Sequence, residues 1–200
     1  MSEHYFSQQP HSKRSPKTWS YTLRGTSYTF TSDVGVFSKN DVDFGSRLLI
    51  EQFTEPKVDG DILDMGCGYG PIGITLADEF AERHVFMADV NERAVDLAEK
   101  NAQLNHVSNT TVFQSDLFAK VNKRDFAAIL TNPPIRAGKK VVHQLFEEAH
   151  AALAEGGELW IVIQKKQGAP SAIKKLETLF GEVETMAKDK GYFILRAINV

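Results

Sequence analysis

At 200 residues, with 42% hydrophobic and 24% charged side chains, the chain has room for one domain with a full-sized core and an ordinary globular composition. A net charge of −3 excludes a uniformly basic nucleic-acid binder and leaves only a local basic patch for such a role. No apolar run approaches the roughly 18 residues of a membrane span, Met1 to Ser20 lacks the apolar segment of a signal peptide, and the one cysteine, Cys67, excludes an internal disulfide and fits a reducing, cytoplasmic setting.

The polar first 17 residues, with Pro10 and Pro16, are expected to form a loosely ordered tail. Its Lys13, Arg14 and Lys17 read equally as a solvated segment or as a contact to nucleic acid. Trp19, Tyr21 and Leu23 alternate, Arg24-Gly25-Thr26-Ser27 interrupts, and Tyr28 and Phe30 alternate again, which predicts a β-hairpin. A helix is expected over Val42 to Phe53, ended by Glu55-Pro56. Beyond it the pattern becomes strictly alternating. Strands are expected at Ile62–Met65, Val85–Ala88, Thr111–Gln114, Phe126–Thr131 and Glu158–Ile163. Helices are expected from Pro71 to Phe80, from the cap Asn91 to Leu104, through Val142, Leu145, Phe146, Ala149 and Leu153 up to a closing Gly156-Gly157, and from Pro170 to Leu179. Two last strands, Val183–Ala187 and Tyr192–Ile198, flank the turn Asp189-Lys190-Gly191. The reading is an α/β fold: a Rossmann-like, doubly wound sheet of seven strands, mostly parallel, with a C-terminal antiparallel hairpin and an N-terminal β-hairpin extension. Residues 1–54 form the basic extension, packed on a core of residues 55–200 as one structural unit.

In such a sheet ligands bind beyond the carboxyl ends of the strands, and four unusual segments fall there. The first is Asp64-Met65-Gly66-Cys67-Gly68-Tyr69-Gly70, followed by Pro71. Its glycines allow a tight turn and close approach of a ligand to the main chain. Gly68-x-Gly70-x-x-Gly73 matches the dinucleotide pattern literally. The additional Gly66 and the acid Asp64 point elsewhere, because a carboxylate repels a pyrophosphate and suits the ammonium of a methionine moiety, directly or through water. The second segment is Asp89-Val90-Asn91, whose acid can accept from both ribose hydroxyls in either kind of site. The third is Ser115-Asp116-Leu117, suited to an adenine amine and ring face. The fourth, and most specific, is Asn132-Pro133-Pro134-Ile135. Prolines hold the chain extended and donate nothing, so the Asn132 side-chain oxygen and the Pro133 carbonyl can converge as acceptors on one NH₂ group. A ring-attached amine is a poor nucleophile because its lone pair is delocalised; two acceptors aim that lone pair for an in-line displacement.

Read together, these residues resemble the class I S-adenosylmethionine-dependent methyltransferases, and more closely the small methyltransferase domain of bacterial 16S ribosomal-RNA guanine-N2 methyltransferases of the RsmC type. The resemblance runs from about Tyr28 to the C-terminus and includes Gly35-Val36-Phe37-Ser38 and Asp43-Phe44-Gly45-Ser46. It implies S-adenosylmethionine as cofactor, Phe37 and Ser38 in the cofactor or target-base pocket, and a base amine of ribosomal RNA, or of the small subunit, as target. Ile135 departs from the aromatic that often ends the family's tetrapeptide. Relatives often carry a second, degenerate domain that helps to hold RNA, for which the basic extension or a partner is expected to substitute.

Arg136, Lys139 and Lys140 follow the fourth segment, and Lys165 and Lys166 follow the fifth strand. With Lys13, Arg14 and Lys17 they are either a phosphate-binding rim or scattered solubilising charges. No zinc-ligand spacing and no nucleophile–base arrangement occurs, so no metal is expected. The expected function is methyl transfer to a guanine amine of RNA by a monomer or weak homodimer. Adenine N6, a protein glutamine amide, an NAD(P)-dependent oxidoreductase and an inactive RNA-binding module are the alternatives.

Overall fold

A computed structural model describes residues 8–38 and 40–200; the first seven residues of the expected tail lie outside it, as does Lys39. Strands β1 (Lys17–Leu23) and β2 (Thr26–Ser32) form an antiparallel hairpin, followed by α1 (Phe44–Gln52). Then come β3 (Ile62–Met65), α2 (Pro71–Glu79), β4 (Val85–Asp89), α3 (Glu92–Leu104), β5 (Thr110–Gln114), β6 (Phe126–Thr131), α4 (Lys139–Ala152), β7 (Leu153–Gln164), α5 (Ala169–Leu179), β8 (Glu182–Asp189) and β9 (Tyr192–Ile198). The main sheet has seven strands in the order β5-β4-β3-β6-β7-β9-β8. It is parallel from β5 to β7, and β9 runs antiparallel to both its neighbours. The last strand therefore inserts between β7 and β8. This architecture is the Rossmann-like sheet with a terminal antiparallel hairpin that the alternation implies.

Side chains alternate between two cores. Ala128 and Leu130 of β6 and Trp160 and Val162 of β7 face α1, α2, α3 and the hairpin. Phe126 and Ile129 of β6 and Leu159, Ile161 and Ile163 of β7 face α4 and α5. All six residues of β6 are buried, as a central strand covered on both sides requires.

One boundary differs from expectation. The helix through Val142 and Phe146 stops at Ala152, and Leu153 begins β7 opposite Phe126, so Gly156-Gly157 lies inside the strand. The glycines serve the sheet there: Gly156 has φ +76, and a Cβ on Gly157 would come within 2.7 Å of the Phe126 carbonyl. They mark the register shift between Phe126 and Ala128.

The N-terminal part fastens α1. Arg24 and Gly25, both at positive φ, make the two-residue hairpin turn. Arg24 Nη1 donates to the carbonyls of Ile50 and Phe53 at the end of α1 (2.8 and 2.9 Å). The outer edge of β2 is paired by two asparagine amides one turn apart, Asn101 near the end of α3 and Asn105 at its C-cap: Asn101 exchanges hydrogen bonds with the Thr31 backbone and Asn105 with the Thr29 backbone. The described part of the tail is also held, which corrects the expectation of a loose segment over residues 8–16. The buried Arg93 guanidinium donates to the carbonyls of Pro10, Ser12 and Val34, and Ser15 N donates to Asp33 Oδ1 at 2.7 Å. A buried cation needs acceptors, and the tail supplies them.

Candidate active site

Between β3 and β6 the connections leave on opposite faces, and the carboxyl ends of the strands open into a cavity of about 370 Å³. Each of the four segments contributes to its wall: Gly66, Cys67, Gly68 and Pro71; Asp89, Val90 and Asn91; Ser115, Asp116 and Leu117; Asn132, Pro133 and Pro134. Val36, Phe37 and Ser38 close one side, and Phe37 is 41% exposed.

The loop after β3 is built by left-handed glycines. Gly66 and Gly68 have φ of +77 and +56, and a Cβ on either would meet nothing within 4 Å. Two bare stretches of backbone thus border open space. Asp89 holds this loop: its Oδ2 accepts from Gly68 N (2.8 Å) and its Oδ1 from Asn91 N (2.9 Å). Burial raises the Asp89 pKa, opposed by hydrogen bonds from the Asn91, Gly68 and Val90 backbone. Three backbone donors leave one of the carboxylate's roughly four lone-pair sites for another donor. Ser115 organises its loop, with Oγ donating to Leu117 O (2.6 Å) and accepting from Lys120 N (3.1 Å).

Asn132 is locked in one orientation. Its Nδ2 donates to Asp43 Oδ2 at 3.0 Å and to Ser46 Oγ at 3.1 Å. A carboxylate only accepts, so the amide NH₂ must face Asp43. The other end of the amide, Oδ1, is left for the cavity, and none of the described residues donates to it. Asp43 is the N-cap of α1, and the same Oδ2 accepts from Ser46 N (3.0 Å). The hairpin that pins the far end of α1 therefore also places the side chain that orients Asn132. The Pro133 carbonyl is not wholly free, since Ile135 N donates to it at 2.8 Å across a tight turn at Pro134 (φ −75, ψ 74). One of its lone pairs remains.

Several residues singled out from sequence lie elsewhere. Gly70 lies outside the cavity wall; its φ of +101 starts α2. Ile135 turns away to pack on the α4–α5 core, and Ala137 and Val141 line the cavity in its place. Asp64 sits fully buried beneath the loop, where its Oδ2 accepts from Gly73 N (2.9 Å) while Oδ1 has no hydrogen-bond partner among the described residues. The eight basic residues fall into three groups. Arg136, Lys139 and Lys140 are exposed next to the cavity-lining Ala137 and Val141. Lys165 and Lys166 line a separate recess. Lys13 and Lys17 are exposed on the tail and hairpin, and Arg14 pairs with Asp96 of α3 (3.6 Å). Among the described residues no three His, Cys, Asp or Glu side chains cluster to hold a metal, and no helix is long and apolar enough to cross a membrane.

Tyr69 of the first segment and Asp43 and Ser46 of the segment quoted for the resemblance, none of them given a role there, also form the cavity wall, and Gln8 was missed. Nothing in the linear sequence ties Asp43 or Ser46 to the distant Asn132.

The family model of the methyltransferase small domain matches residues 27–196. The chain belongs to that family. It is 61% identical over 201 residues to the uncharacterized protein YbxB of Bacillus subtilis (strain 168), covering all of both chains. It is 30% identical over 192 residues to the ribosomal RNA large subunit methyltransferase G of Cronobacter sakazakii (strain ATCC BAA-894), covering 92% of this chain and 50% of that one. Among solved structures, the T. thermophilus 16S rRNA N2 methyltransferase RsmC, in complex with AdoMet and guanosine, matches with a TM-score of 0.82 at 27% identity, over 96% of this chain and 52% of that one. The chain thus spans about half the length of both ribosomal-RNA methyltransferases it matches.

In this methyltransferase small domain the buried Asp64 makes stability depend on pH. Burial raises its pKa from 3.8 to about 7, with the Gly73 N–H opposing and Asp89 adding to the rise. Between about pH 4 and 7 the folded state then holds a proton that the unfolded chain has released, so this group's contribution falls as pH rises through that window, by at most about 1.4 kcal/mol per unit. Asp64→Asn removes the titration. Melting of the ligand-free protein should show the variant gaining on wild type between pH 5 and pH 8. An equal difference at both pH values would place the Asp64 pKa outside the window.

Proposed function

We propose that the protein is an S-adenosylmethionine-dependent N-methyltransferase acting on an exocyclic base amine of ribosomal RNA in the cytoplasm, with guanine N2 of 16S ribosomal RNA as the target. The observation that carries this reading is the locked Asn132, whose amide leaves an oxygen acceptor at the end of β6 beside the Pro133 carbonyl.

The cavity fits the cofactor on its own features. Open space at Gly66 and Gly68 admits a ligand against the main chain. Asp89 keeps an acceptor site for a ribose hydroxyl, and Asp116 and Leu117 offer an acceptor and an apolar face for an adenine. The cofactor supplies a sulfonium methyl group, the electrophile of the reaction. The protein's own task is positioning. Asn132 Oδ1 and the second lone pair of Pro133 O accept from the two amine hydrogens, which turns the nitrogen lone pair toward the methyl carbon. When bound, the cofactor would supply the methyl group and depart as the neutral thioether, and the surplus amine proton would leave to solvent. No side chain is needed as a covalent nucleophile. Phe37, aromatic and exposed at the cavity side, offers the flat face for a target base that Ile135 does not.

The test is transfer of labelled methyl from S-adenosylmethionine to small subunits, large subunits, naked ribosomal RNA, DNA and protein extract in parallel, followed by nucleoside digestion and mass analysis. Label recovered as N2-methylguanosine from 16S RNA is the expected result. Label only in N6-methyladenosine, in protein or in large-subunit RNA would overturn the assigned target.

A further inference from the structure

A second recess opens on the same edge of the sheet, where β7 ends and the β8–β9 turn returns. Gln164, Lys165, Lys166, Pro170, Lys190 and Gly191 line it. Lys165 N donates to Gly191 O at 2.9 Å and ties the two loops together. Three lysines line the recess, no carboxylate does so among the described residues, and none of the three has an ion pair there. The neighbouring acid, Asp189, is exposed and outside the lining. One lining residue, Gln164, carries an unmet acceptor: its Oε1 is buried without a hydrogen-bond partner among the described residues.

The recess is joined to the active-site cavity through the first turn of α1. Lys190 Nζ lies 4.8 Å from the Phe44 ring centroid, and Phe44 packs on Tyr192 at 5.3 Å. Phe44 sits between Asp43 and Ser46, the two residues that hold Asn132. A strand placing one base at Asn132 would have a neighbouring nucleotide within reach of the lysines.

We propose that this recess seats a flanking ribonucleotide of the substrate strand, its phosphate against Lys165, Lys166 and Lys190 and its 2′-hydroxyl donating to Gln164 Oε1. A bare phosphate satisfies the lysines but offers the orphaned acceptor nothing, and DNA lacks the hydroxyl. The assignment rests on the reading of the substrate as RNA and adds how RNA is told from DNA.

Fluorescence anisotropy of the full chain with a labelled single strand of about 12 nucleotides, as RNA and as DNA of the same sequence, tests it. Lys165→Gln/Lys166→Gln/Lys190→Gln is expected to weaken RNA binding about 10- to 100-fold and to reduce the slope of log K against log salt by about 2. Gln164→Ala is expected to weaken RNA binding about 3- to 10-fold and to leave DNA binding unchanged. Melting temperature and cofactor affinity should stay at wild type in both variants. Wild-type RNA affinity and slope in the triple variant would overturn the phosphate seat. Equal losses for RNA and DNA in Gln164→Ala would overturn the ribose contact. The two readings fail separately: label transferred only to DNA or protein sinks the substrate assignment, whereas RNA methylated and bound equally well by the triple variant sinks the recess alone.

Discussion

Asn132→Ala is expected to lower kcat about 100- to 1000-fold while cofactor affinity stays within about threefold, the usual cost of deleting one group that is pre-aimed at the reacting centre. The expectation depends on orientation as much as on the oxygen itself. Asp43 Oδ2 and Ser46 Oγ take the amide hydrogens at 3.0 and 3.1 Å, so Oδ1 has one place to go. Asp43 is therefore a positioning residue. Asp43→Ala should cost about 1 kcal/mol of stability through the lost cap and lower kcat about 10-fold or more, because the amide can then rotate. Asp43→Asn, which keeps an oxygen acceptor at both bonds, should recover much of the rate. Single-turnover rates at saturating cofactor separate these effects from binding. Wild-type turnover in Asn132→Ala would sink the mechanism. Loss of stability without loss of rate in Asp43→Ala would reduce that residue to a helix cap.

Asp89→Ala should raise the dissociation constant for S-adenosylmethionine about 100-fold, with kcat at saturation nearly unchanged. Two losses combine. The ribose loses a charged acceptor, worth about 1.5–3 kcal/mol, and Gly68 N loses the 2.8 Å hydrogen bond that holds the loop in its left-handed conformation. Asp116→Ala provides the internal comparison. Asp116 is exposed and not locked by such backbone donors, so its loss should cost about tenfold or less. Calorimetric titration measures both. Unchanged affinity in Asp89→Ala would remove it from the binding site.

Much of this was legible in the linear sequence because it depends on local rules. Period-two and helical patterns placed every strand of the main sheet. The carboxyl-end rule then directed attention to Gly66–Gly70, Asp89, Ser115–Leu117 and Asn132–Pro134, and the cavity wall includes residues from all four. The helix closing at Gly156-Gly157 went astray because a glycine pair marks a helix end and a strand irregularity alike, and only the partner strand β6 distinguishes them. Asp64 was expected at the ligand, directly or through water. It is placed under the loop because its carboxylate serves Gly73, nine positions ahead, and spacing does not reveal which face of a turn a side chain takes.

The architecture, the sheet edge that holds the site and the chemical character of the segments there are all readable from the linear chain, since each follows from residues within one or two elements of each other. The tertiary structure alone decided the contacts between distant segments. Asp43 meets Asn132 across 89 positions, Arg93 draws the tail over the start of α3, and β9 slips between β7 and β8 so that Lys190 joins Lys165 and Lys166. Those choices belong to buried groups seeking partners. A locked amide and a buried guanidinium each need acceptors that no nearby residue provides, and the fold meets the need from wherever in the chain the packing brings one close.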